Sequence, residues 1–134
     1  MATTLEQQLD APGGGVPTEP LAVADVLERA ADLIEPEGRW TRGAYASDQH
    51  NDSVDTLHPD AKCFCAMGAV YRAAGASSHH KTGPLDLVRA VRTHLIYATG
   101  TTMVSFNDAP ERTQAEVVAK LREAAALARS QVQP

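Results

Sequence analysis

The sequence predicts an all-α protein: a single compact domain of about four main helices packed around a central, cysteine-bearing helix at 61–74, with a long Trp-anchored loop before it. Three observations predict this. Apolar residues recur at i, i+3, i+4 and i+7 in separate stretches. The chain is rich in Ala and holds one Trp, three Tyr and two Phe; Ala favours helix because it loses no side-chain entropy there. Alternating β-branched runs are scarce, so a sheet has little to work with.

The 134 residues suit one domain. Residues 1–20 read as a disordered tail, because Gly13-Gly14-Gly15 with Pro12, Pro17 and Pro20 deny them a stable element. The helical domain is assigned to 21–129, and 130–134 should fray.

Leu21–Glu35 is the first helix. Val23, Val26, Leu27, Ala30, Leu33 and Ile34 make its apolar stripe, and Pro36 with Gly38 stops it. Glu37–Lys62 has little periodicity and many turn formers. Trp40 and Tyr45 are its large anchors, with Trp40 expected to plug the loop onto the core. The cysteine-bearing helix then opens at about Ala61, capped by Asp60 or His58 behind Pro59, and closes at Ala74 with Gly75 beyond it. Ala76–Gly83 is a loop. Leu85–Tyr97 is a helix with Leu87, Val88, Val91, Leu95 and Ile96 inward. Met103–Phe106 reads as extended or turn-like, and Asn107-Asp108 as a turn and helix entrance. Capping-box spacing appears twice, at Asp108/Glu111 and at Thr113/Glu116, and the last helix runs from about Gln114 to Arg129.

The net charge of −5 argues against a nucleic-acid binder with a broad basic surface. Eight acids against the single base Arg29 make residues 1–37 acidic, whereas Gly38–Ser105 is slightly basic. No basic, apolar leader opens the chain, and no run approaches the roughly 18 apolar residues of a membrane span. The expected location is the cytoplasm, with both cysteines reduced.

On a helical wheel, Cys63, Met67, Val70, Tyr71 and Ala74 share a bulky face, while Cys65, Gly68, Ala69 and Arg72 share a small-residue face that lets another backbone approach. Both cysteines read first as small core residues. The chemical alternative is a cysteine-dependent enzyme. Cys65 near a helix N-terminus would be the nucleophile, His94 (or His79 or His80) the base, and Asn107 or Asp108 the orienter. A second alternative is a zinc-stabilised domain drawing on Cys63, Cys65, His58 and His79, although Cys-x-Cys is a weak ligand spacing. Arg72 on the small face needs an anion, and Asp108 is the expected partner.

Glu37–Ala46 (EGRWTRGAYA), Cys63–Ala69 (CFCAMGA), Val104–Asp108 (VSFND) and Arg112–Val118 (RTQAEVV) resemble a family of short proteins of unknown function from high-GC Gram-positive bacteria and their phages. The resemblance spans about Leu21–Ala128; the family's aromatic before Asn-Asp is often Trp, where this chain has Phe106. Nine Arg against three Lys, with many Ala, suit such a genome. The resemblance implies a single compact domain and no particular activity.

The reading that follows is a small, cytosolic, non-enzymatic binding or regulatory module, an accessory protein of a phage or mobile element. Its binding residues are Trp40, Tyr45, Arg72, Phe106, Asn107 and Asp108, its partner is a protein, and no cofactor is expected.

Overall fold

The computed structural model describes residues 20–131. The predicted tail therefore lies outside the described residues, save for Pro20, which opens the first helix; so do residues 132–134. Among the described residues the fold is mainly helical: α1 (Pro20–Ile34), α2 (Ala66–Ala74), α3 (Leu85–Thr99), α4 (Met103–Asp108) and α5 (Gln114–Ser130). A small antiparallel ribbon pairs β1 (Ala46–Ser47) with β2 (Cys63–Phe64).

The apolar stripes of α1 and α5 do what their spacing requires, whereas on α3 Ile96, expected inward, is exposed because its neighbour Leu95 takes the core position. Val23, Val26, Leu27, Ala30 and Ile34 of α1 are buried, as are Val117, Leu121, Ala124 and Ala128 of α5. These two helices pack together, and α1 also packs against α2 and α3. The small Ala side chains let the α1 and α5 axes come close without leaving voids. Thr113 and Glu116 form the predicted capping box at the start of α5. The amide of Gln114 donates to the Ile34 and Pro36 carbonyls at 2.6 and 2.9 Å. The first turn of α5 thus satisfies main-chain acceptors orphaned at the end of α1.

Three expectations need correction. The cysteine-bearing helix begins at Ala66, five residues later than its predicted start at Ala61. Phe64 is held on both sides: its N–H donates to the Arg39 carbonyl, its carbonyl accepts from the Thr41 N–H, and it pairs with Ala46. These ladder bonds outweigh the local helical preference of the segment. Cys63 therefore lies in β2 and Cys65 is the extended N-cap of α2, so neither sits on the helical faces assigned to it. Second, Met103–Asp108 is a short helix, with Thr102 accepting from the Ser105 N–H as its cap. Third, Asp108 ends that helix and opens no other, so the Asp108/Glu111 capping box does not form.

The rest of α2 behaves as expected of a helix packed on two sides. Ala66 to Tyr71 are buried without a break. Its small face does receive another backbone. A Cβ on Gly68 would lie 1.7 Å from the Tyr45 carbonyl oxygen. That same oxygen accepts from the Cys65 N–H at 3.3 Å. Glycine is required here for closeness, not for backbone freedom. Gly68→Ala is expected to cost about 3 kcal/mol by forcing β1 and its approach segment off α2. Urea denaturation would show this as a lower midpoint; an unchanged midpoint would mean that the Tyr45 segment is free to move away.

Candidate functional site

Two of the residues singled out from the motifs, Trp40 and Asp108, bond to the side chain of a third, Asn107. It stands on the last turn of α4 and is fully buried. Its Oδ1 accepts from the Trp40 indole N–H at 2.7 Å and from the Ala66 main-chain N–H at 3.0 Å. Its Nδ2 donates to the Thr41 carbonyl at 3.1 Å and to Asp108 Oδ1 at 2.9 Å. A carboxamide has two donor hydrogens and two acceptor lone pairs, so every one is used. The bond to Ala66 also satisfies one of the orphan donors at the start of α2. Trp40, half-buried, is thereby fixed at both its ring and its polar edge, and anchors the long loop as predicted.

Phe106 and Asp108 flank this centre. The Arg112 guanidinium lies 3.6 Å over the Phe106 ring and donates to the Phe106 carbonyl. The Arg42 guanidinium lies 5.0 Å over Trp40 and donates to the Arg112 carbonyl. Asp108 accepts from Asn107 and, at 3.4 Å, from the Gly43 N–H.

Arg72 does not pair with Asp108. Its Nη1 donates to the Thr56 carbonyl at 2.9 Å and to the His58 carbonyl at 3.2 Å, with its guanidinium 5.8 Å from the Phe64 ring. The expected anion is replaced by two neutral acceptors on the long loop. Tyr45 sits apart from Asn107, stacked on Tyr71 with ring centroids 5.5 Å apart.

The two cysteines differ. Cys63 is half-buried, with its thiol directed at the Ser47 carbonyl. Cys65 is buried, and its sulfur accepts from the Gly68 N–H at 3.3 Å. Burial pushes the Cys65 thiol up to about 11, the nearby Asp108 charge adds to this, and the Gly68 and Met67 N–H groups offset it only in part. A helix N-terminus lowers a thiol pKa only where water or a cation can also support the charge. His94 has its own structural use: its Nε2 lies 2.9 Å from the Ala124 carbonyl and joins α3 to α5. His50, His58, His79 and His80 are exposed on loops. Among the described residues, no three His, Cys, Asp or Glu side chains come together as a metal-binding group.

A second polar centre joins the long loop to residues 76–79. Asp55 Oδ1 accepts from the Ser77 hydroxyl at 2.7 Å and the His79 N–H at 2.7 Å, while Oδ2 accepts from the Leu57 N–H at 2.9 Å. Beside it, the buried Thr56 hydroxyl donates to the Ala76 carbonyl and accepts from the Ser78 N–H. Partial burial raises the Asp55 pKa, but the bonds from His79, Ser77 and Leu57 outweigh it and hold the carboxyl well below the ordinary range. Serines 77 and 78 are correspondingly buried, though they lie in a loop. No local pattern links residue 55 to residues 77–79; the only hint is the clustering of Asp and Ser in both loops.

Two predictions follow from these centres. Removing the carboxamide in Asn107→Ala strands the Trp40 and Ala66 donors, and should cost about 2–5 kcal/mol in thermal or urea denaturation; a loss below about 1 kcal/mol would show that water replaces it. For Asp55, a carboxyl lowered in the folded state stabilises the fold above the unfolded pKa of about 4 and loses that contribution as pH falls below it. Stability should drop on acidification from about pH 5 toward pH 2. Asp55→Asn should be less stable at neutral pH, with a shallower acid slope than the parent.

A model described as a family of unknown function, DUF6197, matches residues 18–127 of the chain. Neither a curated protein nor a solved structure matches it.

Proposed function

The chain belongs to the DUF6197 family of unknown function, and we propose that it is a small, cytosolic, non-enzymatic binding or regulatory module that acts on a protein partner. The observation that carries this reading is that the groups a catalytic site would use are committed to the fold. Asn107 spends all four of its hydrogen bonds internally, His94 is bound to Ala124, and the Cys65 thiol is pushed up to about 11. At neutral pH such a thiol holds almost no thiolate, the form that attacks substrates.

The module reading places the working surface on the outer side of the Trp40 and Asn107-Asp108 segments, where Arg42 and Asp108 are exposed. No helix among the described residues is long and apolar enough to cross a membrane. The Arg-over-Lys bias and the motif order support an origin in a high-GC bacterium or its phage.

Thiol labelling and partner capture test the proposal from two sides. In the native protein at pH 7.5, Cys63 should label before Cys65, and Cys65 should react far more slowly than a free thiol. Rapid labelling of Cys65 would return the cysteine-dependent reading to first place. Affinity purification of the full chain from its host should retain a specific protein in near-stoichiometric amount; retention of nothing above background would remove the support for a binding module.

A further inference from the structure

The cations of the loop region are arranged differently from those of the helices. Arg122 pairs with Glu28, Asp32 and Glu35, and Arg129 with Glu28. Around the loops, Arg39 donates to the Lys62 carbonyl, Arg72 reaches from α2 to the loop carbonyls of Thr56 and His58, and Lys81 lies over the Tyr45 and Tyr71 rings. These partners are neutral, so they order the side chain without cancelling its charge.

This is most developed around Trp40. Arg42 is exposed, lies 5.0 Å over the Trp40 ring and donates to the Arg112 carbonyl. Arg112 lies 3.6 Å over the Phe106 ring and donates through Nε to the Phe106 carbonyl. The two stacks are neighbours because Trp40 is bonded to Asn107, the residue after Phe106. Stacking fixes the plane of a guanidinium, and one edge bond fixes its rotation. The remaining N–H groups then point in set directions, and little entropy is left to lose on binding.

The local carboxylates compensate weakly. Glu116 Oε1 lies 3.9 Å from Arg112 Nη1 and the same oxygen accepts from the Thr113 N–H at 2.9 Å. Asp108 Oδ1 is engaged by Asn107 and Gly43. Arg42 has no carboxylate within ion-pairing distance among the described residues.

We propose that Arg42 and Arg112, stacked on Trp40 and Phe106, form a docking site for a short acidic segment of the partner protein. The inference rests on the binding-module reading and gives its partner a chemistry. Guanidinium forks match carboxylates in bidentate geometry. Two such groups suit a short segment, while the chain's net charge of −5 disfavours an extended polyanion such as nucleic acid.

Trp40 is the one tryptophan of the chain, so its emission reports on this site. The experiment titrates the full chain with a short glutamate-rich peptide at low salt. A saturable change in emission is expected, weakening with added salt. Arg42→Gln or Arg112→Gln should weaken it about tenfold each. Arg89→Gln, on the exposed side of α3, should bind as the parent does, and a glutamine-rich peptide should give no saturable change. Circular dichroism checks each variant; should Arg112→Gln unfold, Arg42→Lys still tests the site, since it keeps the charge but loses the planar fork. The proposal is overturned by any of four results: no saturable change, an equal response to the glutamine-rich peptide, binding that Arg42→Gln leaves intact, or tighter binding of a single-stranded oligonucleotide. If the host partner is captured equally by the Arg42→Gln chain, this site is wrong and the module reading stands.

Discussion

The Asn107 carboxamide accepts from the Trp40 indole and the Ala66 main chain and donates to Thr41 and Asp108, and much of the architecture depends on that arrangement. It lets the long loop close over the helices, because the loop's indole is held by a polar bond as well as by packing. It also lets α2 start at Ala66, since that N–H has a partner other than water. A buried polar group is costly unless all of its bonds are made. Satisfied in full, it favours one arrangement of three chain segments over the many that hydrophobic packing alone would allow.

Hydrogen bonds of this kind recur wherever the chain lacks regular structure. Asp55 and Thr56 stitch the long loop to Ala76–His79, and Arg72 reaches across to Thr56 and His58. The helical side is held differently, by apolar stripes with ion pairs along the α1–α5 edge. Partly exposed pairs of that type contribute little individually, about 0–1 kcal/mol each. The apolar stripes must therefore carry that interface, and the charges chiefly fix its register.

Helices α1, α3 and α5 were legible because they are amphipathic and long, whereas the six-residue α4 is too short to show a period. Leu27, Ala30 and Ile34, or Val117, Leu121 and Ala124, give a periodic signal that needs no knowledge of the partner. The Thr113/Glu116 box was readable for the same reason: its two halves lie three residues apart. The start of α2 was misread because Cys63-Phe64 takes its conformation from Arg39, Thr41 and Ala46, remote in sequence. A two-residue strand has no period to detect. Among the motif residues, the aromatic-Asn-Asp stretch was singled out for binding, whereas the role the structure displays for Asn107 is to join chain segments, which the sequence did not make visible. Asn107 looks like any turn-forming Asn until Trp40 and Ala66 are brought to it. Arg72 was given a carboxylate partner on the principle that a charge seeks its opposite, whereas two backbone carbonyls nearer at hand serve it. Asp55 drew no attention because its bonding partners, Leu57 apart, lie more than twenty residues away.

The reach of Gln114 to the end of α1 spans 80 residues of chain. In a growing polypeptide, α1 leaves the ribosome long before the helix that caps and covers it. At about 5–20 residues per second, the delay is roughly 4–16 s. For that interval the face formed by Val26, Leu27, Ala30 and Ile34 lacks its α5 cover, and α2 and α3 can shield it only in part. Until α5 emerges, that apolar helix face is surface of the kind that makes incompletely folded chains prone to aggregate.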